Sequence, residues 1–223
     1  MKIPEVIDLS HEVHPNIPTW SGQCGFRITV EMDYDEEGCR VMHYDMESGI
    51  GTHMDAPSHF NPNGENISDL DVSIFVAPLC IIRVDSDSFP DILVTPQNIK
   101  DYEAKHGKIS PGSLVVADTG WAKHWNNPSK YRNKTHFPGF SVESAEVLLK
   151  RKIVGIGIDT LSPDGRNMNF PVHHLLLKKG KYIIENIANL PSVPDSGALA
   201  IALPPKIRGG TEAPIRLIAL VDQ

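Results

Sequence analysis

Cysteine is too scarce in this chain to staple a fold. Cys24, Cys39 and Cys80 are odd in number, sit at unrelated spacings and form no CxxC pair. That excludes a disulfide framework and leads us to expect a reducing, cytoplasmic setting. Long apolar runs are also missing. Stretches such as 199–203 fall far short of the roughly 20 residues a membrane span needs, so no membrane role is expected. No run of Lys and Arg is interleaved with aromatics, and the net charge is −7. Both features argue against nucleic acid as a partner. The opening Met1-Lys2-Ile3-Pro4-Glu5 turns polar too early for a signal peptide. Several familiar motifs are absent as well. Ser48 lies in Met46-Glu47-Ser48-Gly49-Ile50, so a G-x-S-x-G nucleophile turn is broken at both glycines. Gly155-Ile156-Gly157 lacks the third glycine of a dinucleotide fingerprint, and there is no P-loop.

What remains is an ordinary globular composition. The chain has 223 residues, 40% hydrophobic and 22% charged, and one domain over 1–223 is expected. Eighteen prolines and 17 glycines are spread along it, punctuating many short elements and marking no single linker. Segments 28–32 and 41–46 partly alternate and read as strands. Segments 79–84, 113–117, 153–158, 182–187, 198–203 and 215–221 read as largely buried strands. Thr95 with Pro96 opens a helix to about His106, stopped by Gly107. Ser141 caps a second helix through about Arg151, and Pro171 opens a short third that ends at Gly180. Strands outnumber helices without a clean alternation, which predicts an α/β fold with a mixed, barrel-like sheet core.

The chemistry concentrates in Gly51-Thr52-His53-Met54-Asp55-Ala56-Pro57-Ser58-His59-Phe60. In an extended segment His53 and Asp55 share a face, with Cα atoms roughly 6.5–7 Å apart. An imidazole and a carboxylate at that spacing can close on one ion at about 2.0–2.2 Å per bond. Gly51, of the same parity, is expected to leave room for an ion or a water. Pro57 is expected to fix the turn that returns His59 to the same place. Far downstream, His173 and His174 fall in the third helix, and Glu185 interrupts an apolar strand where a bare carboxylate is costly. On the residues alone, His173 and Glu185 read as a satisfied core polar pair, with a metal ion as the alternative partner. His174 reads as their structural or solvent-facing neighbour. Asp118 and Asp159 read as strand-end caps, and Trp20 as a core residue. His11, His14, His43, His106, His124 and His136 read as surface or locally bonded residues.

The stretch Gly51 to Phe60 resembles the signature H-x-G-T-H-x-D-x-P-x-H-F of the cyclase family, whose members include bacterial kynurenine formamidase and isatin hydrolase. The likeness extends to Ile7-Asp8-Leu9-Ser10, Val116-Ala117-Asp118-Thr119-Gly120-Trp121, Gly157-Ile158-Asp159-Thr160, Pro171-Val172-His173-His174-Leu175 and Gly209-Gly210-Thr211. The resemblance implies a fold of swivelling β/β/α type and a homodimer or higher homo-oligomer. It implies a divalent metal, zinc or manganese, one or two per subunit, held by His53, Asp55, His173 and Glu185. It makes His59 the catalytic histidine and puts Trp20 in the wall of a small-molecule pocket. The implied reaction is metal-assisted hydrolysis of an aryl formamide or cyclic amide, with His59 taking and returning the proton. One position departs from the pattern: the first histidine of the signature falls on Gly49. The missing imidazole leaves three replacements open, namely water, another side chain, or nothing. A lactone or other cyclic substrate, or a catalytically silent small-molecule binder, is the rival reading.

Overall fold

The computed structural model describes residues 3–87 and 89–222. Among the described residues, thirteen strands are formed. They are β1 (Glu5–Asp8), β2 (Phe26–Met32), β3 (Val41–Met46), β4 (His53–Asp55), β5 (Val76–Arg83), β6 (Leu93–Val94) and β7 (Leu114–Asp118). They continue with β8 (Gly139–Phe140), β9 (Gly155–Ile158), β10 (Tyr182–Glu185), β11 (Ala198–Leu203), β12 (Glu212–Pro214) and β13 (Arg216–Val221). The helices are α1 (Tyr34–Glu37), α2 (Pro96–His106), α3 (Pro128–Arg132), α4 (Val142–Lys150) and α5 (Pro171–Lys178).

Nine strands make one mixed, strongly curled sheet in the order β1-β13-β11-β5-β7-β9-β10-β4-β12. The centre, β5-β7-β9-β10, is parallel, and its flanks are antiparallel. This is the α/β architecture with a half-barrel sheet that the strand-rich pattern predicts. Strand β7 shows how the apolar run divides. Leu114 and Val116 join the core inside the curl, while Val115 and Ala117 join the core under the helices. The helix-side core takes Ile99 and Tyr102 from α2, Ala145 and Leu148 from α4, and Val172, Leu176 and Leu177 from α5.

The helix boundaries follow local chemistry. Thr95 and Asn98 form a reciprocal capping box, Pro96 occupies the first turn, and Gly107 follows at φ 86. Ser141 accepts from the Ser144 amide at the start of α4. The glycines of Gly155-Ile156-Gly157 serve close packing: a Cβ on Gly155 would lie 2.5 Å from the Tyr182 carbonyl oxygen.

Segments 28–32 and 41–46 form strands as expected and pair with each other in a separate two-stranded sheet outside the main one. One strand expectation needs correction. The apolar run 182–187 ends as a strand at Glu185, because Asn186 turns into the left-handed region at φ 56. Among the described residues, no helix is long and apolar enough to cross a membrane.

Candidate metal and catalytic site

Three strands at one edge of the sheet assemble the site. On one side of β4, His53 lies opposite Glu185 of β10; on the other side, Asp55 lies opposite Glu212 of β12. Directly opposed residues in antiparallel strands project to the same face. His53, Asp55, Glu185 and Glu212 therefore all stand on the helix-covered face, while Met54, Ile184 and Ala213 turn into the opposite core. Helix α5 crosses that face and inserts His173.

His53, Asp55, His173 and Glu185 are all buried. Each carboxylate addresses both imidazoles. Asp55 places Oδ1 3.5 Å from His53 Nε2 and Oδ2 3.3 Å from His173 Nε2. Glu185 places Oε2 3.4 Å from His53 Nε2 and Oε1 3.2 Å from His173 Nε2.

The imidazoles are braced from behind. The Gly51 carbonyl oxygen lies 2.9 Å from His53 Nδ1 and can only accept, so Nδ1 carries a proton and Nε2 is turned inward toward the carboxylates. His173 Nδ1 lies 2.6 Å from Asp164 Oδ2, the carboxylate–histidine arrangement that supports ligating imidazoles. Asp164 also accepts from the Val172 and His173 amides, at 2.6 and 3.2 Å. It thereby satisfies the N-terminus of α5, which Phe170 leaves without a side-chain cap.

One oxygen is left over. Asp55 Oδ1 is buried and has no hydrogen-bond partner. Leaving a buried carboxylate oxygen unpaired costs on the order of 1–3 kcal/mol or more. The charge balance is equally tense. Burial alone would lower the pKa of His53, yet the Asp55 and Glu185 carboxylates raise it. Burial opposes His173 in the same way, and Asp164, Asp55 and Glu185 raise it well above its usual value. Burial and the Asp55 charge push Glu185 up to about 7. Burial works against the Asp55 charge, and His173 and His53 hold its pKa down. Ligand atoms of His53, Asp55 and Glu185 lie within 4.8 Å of one another, as do those of Asp55, His59 and His173. Nitrogen and carboxylate donors with an orphaned oxygen fit a divalent cation.

The open side of the site is lined differently. The turn Pro57–His59 is a single 3₁₀ turn, closed by the His59 amide on the Ala56 carbonyl at 2.9 Å. It brings His59 to the wall of a cavity of about 380 Å³, where its side chain stays 27% exposed. Trp20 is 38% exposed and lines the same cavity with Phe60, Leu161 and Phe170. The core placement that the residues alone suggest for Trp20 is thus corrected to the cavity wall. The Trp20 and Phe170 rings are 5.7 Å apart.

The structure brings together every residue expected at the site and sets aside its neighbours. His174 is exposed on the outer side of α5. Asp159 accepts from the Thr119, Trp121 and Ala122 amides, so it caps the loop after β7. Asp118 pairs with Arg83. Gly51 does not face the ion space: it lies at φ 63, with Val13 and Ile17 where its Cβ would be. Its contribution is the carbonyl oxygen behind His53. His11 is half-buried, its ring stacked on Trp125 at 3.8 Å with Nε2 buried and unbonded. No ligand-spaced motif in the sequence marks Asp164 or Glu212. The only hint was Glu212 following Gly209-Gly210-Thr211 in the C-terminal block.

Fold and site together define an α/β protein whose sheet edge presents a buried histidine–carboxylate cluster of metal-ligating type. The family model described as putative cyclase matches residues 7–165, and the chain belongs to that family. It is 36% identical to isatin hydrolase from Roseibium aggregatum, over 98% of this chain and 92% of the relative. It is 30% identical to kynurenine formamidase from Bacillus cereus, over 98% of each. A crystal structure of an isatin hydrolase bound to the product analogue thioisatinate superposes with a TM-score of 0.92 at 33% identity, covering 98% of this chain and 93% of that one.

Proposed function

We propose that this protein is a metal-dependent hydrolase that cleaves the amide bond of an aryl formamide or a cyclic aryl amide. The observation that carries the reading is the Asp55 carboxylate, which lies between two imidazoles whose outer nitrogens are already committed and leaves its buried Oδ1 without a hydrogen-bond partner. A divalent ion, zinc or manganese, held by His53, Asp55, His173 and Glu185 would supply Lewis acidity and lower the pKa of water there.

The rest of the work falls to the chain. His59 sits beside the ligands and open to the cavity, where its imidazole accepts the proton of the attacking water and delivers it to the departing nitrogen. Trp20, Phe60 and Phe170 offer flat apolar surface on which an aryl ring stacks, holding the carbonyl toward His59 and the ligand cluster. The relative at 36% identity is named for isatin and the one at 30% for a formamide, which favours the cyclic substrate.

Further parts of the same proposal are a homodimer and a cytoplasmic setting. Supporting the first, Ile28, Val30 and Met32 of β2 and Val41, Tyr44 and Met46 of β3 are exposed. Supporting the second, the three thiols are unpaired. The test is turnover of isatin, N-formylkynurenine and an aryl lactone by protein of measured metal content. Turnover of either amide that falls with chelation and returns with added metal is the expected result. Amide turnover indifferent to chelation, or lactone turnover alone, contradicts the proposal.

A further inference from the structure

The family signature places its first histidine where this chain has Gly49, and the structure shows what occupies the vacated space. A Cβ on Gly49 would lie 2.5 Å from Glu212 Oε1 and 3.3 Å from His53 Nε2. The glycine therefore faces the site, and a carboxylate from a distant strand reaches into the room its side chain would take.

Glu212 is held there by two features. Strand β12 pairs with β4 so that Glu212 lies opposite Asp55, on the side away from Glu185. Ser48, next to the glycine, donates its hydroxyl to Glu212 Oε2 at 2.9 Å, and the same oxygen lies 3.5 Å from His59 Nδ1. Oε2 is thus engaged by Ser48, and Oε1 points at the gap. The unpartnered Asp55 Oδ1 is the oxygen on the His53 side of its carboxylate. Glu212 Oε1 and His53 Nε2 thus flank the same Gly49 Cβ position, and Asp55 Oδ1 lies 3.5 Å from that His53 nitrogen.

We propose that Glu212 replaces the missing ligand at position 49, completing a divalent-cation position with His53 and Asp55 on the Gly49 side of the site. The inference rests on the metal-dependent reading above. It makes Gly49 and Glu212 one exchange: a histidine at 49 would collide with the carboxylate, and a small residue at 49 leaves room for it. Exchanging imidazole nitrogen for carboxylate oxygen adds a negative charge and hardens the donor set, which moves preference toward manganese over zinc.

The test is calorimetric titration of chelator-stripped full-length protein with Mn²⁺ and Zn²⁺, with metal content read by mass spectrometry. Wild type is compared with E212A, E212Q, G49H, the double variant G49H/E212A, and D55A, and circular dichroism confirms folding. We expect E212A to lose one equivalent of Mn²⁺, or to bind it more weakly by more than the roughly 10–100-fold that loss of a supporting partner costs. E212Q, which keeps the oxygen and drops the charge, should fall between. G49H/E212A should regain the lost equivalent with Zn²⁺ now preferred, whereas G49H alone should not. Unchanged Mn²⁺ stoichiometry and affinity in both E212A and E212Q, with D55A metal-free, overturns the role of Glu212 and leaves the metal reading standing. Wild-type protein that binds neither ion overturns both.

Discussion

The two walls of the site are built to different standards. The His173 wall is braced at every level. Helix α5 packs on the sheet, Asp164 holds the ring and the helix amides together, and Glu185 closes the other side, all of it buried. The opposite wall is open. His59 and Trp20 are partly exposed, and Glu212 is fixed mainly by Ser48. Under the proposed metal-dependent reading, the contrast separates two tasks. Ligands that must hold an ion are immobilised by surroundings that fix tautomer and rotamer. Groups that must meet a substrate and exchange protons keep contact with the cavity.

The largest expected effect breaks both walls at once. Asp55 serves both imidazoles, so Asp55→Ala should strip the metal and abolish turnover, as metal analysis beside a kinetic assay would record. The next effect separates them. His59→Ala should lower kcat by about two to four orders of magnitude while bound metal stays near wild type; metal lost along with activity would move His59 into the ligand set. Asp164→Asn sharpens the contrast from the other side. It keeps the shape but weakens the grip on His173, so metal affinity should fall by roughly 10–100-fold, with KM measured at saturating metal unchanged.

The smallest effect lies beneath the open wall. Burial against Trp125 pushes His11 down to about 4, so the folded protein keeps it neutral while the unfolded chain protonates near 6.5. Its stabilisation is therefore complete above 6.5 and declines as pH falls toward 4, by at most about 3 kcal/mol. His11→Phe, which preserves the stack, should flatten the fall of melting temperature across that window. An identical acid slope in both proteins would assign the slope to other groups.

The readable part of the fold was the part governed by local chemistry. The capping box at Thr95, the Ser141 cap and the apolar central strands announce themselves in a few residues each. The site was readable where ligands share one segment, because the extended segment His53–Asp55 followed by a proline turn at His59 is itself a geometry. Asp164 and Glu212 were not readable. Asp164 reaches His173 through the reversal at Phe170, with φ 50, and Glu212 meets Asp55 through pairing of strands more than 150 residues apart. Gly51 is not aimed at the ion for a related reason: the backbone there turns left-handed, so alternation begins only at His53.

An anomalous-scattering map from crystals grown with Mn²⁺ tests the central claim most directly. The expected result is a peak bounded by His53, Asp55, His173 and Glu185, with a second, if present, on the Glu212 side. A map empty at that cluster, in crystals of catalytically active protein, would contradict the account.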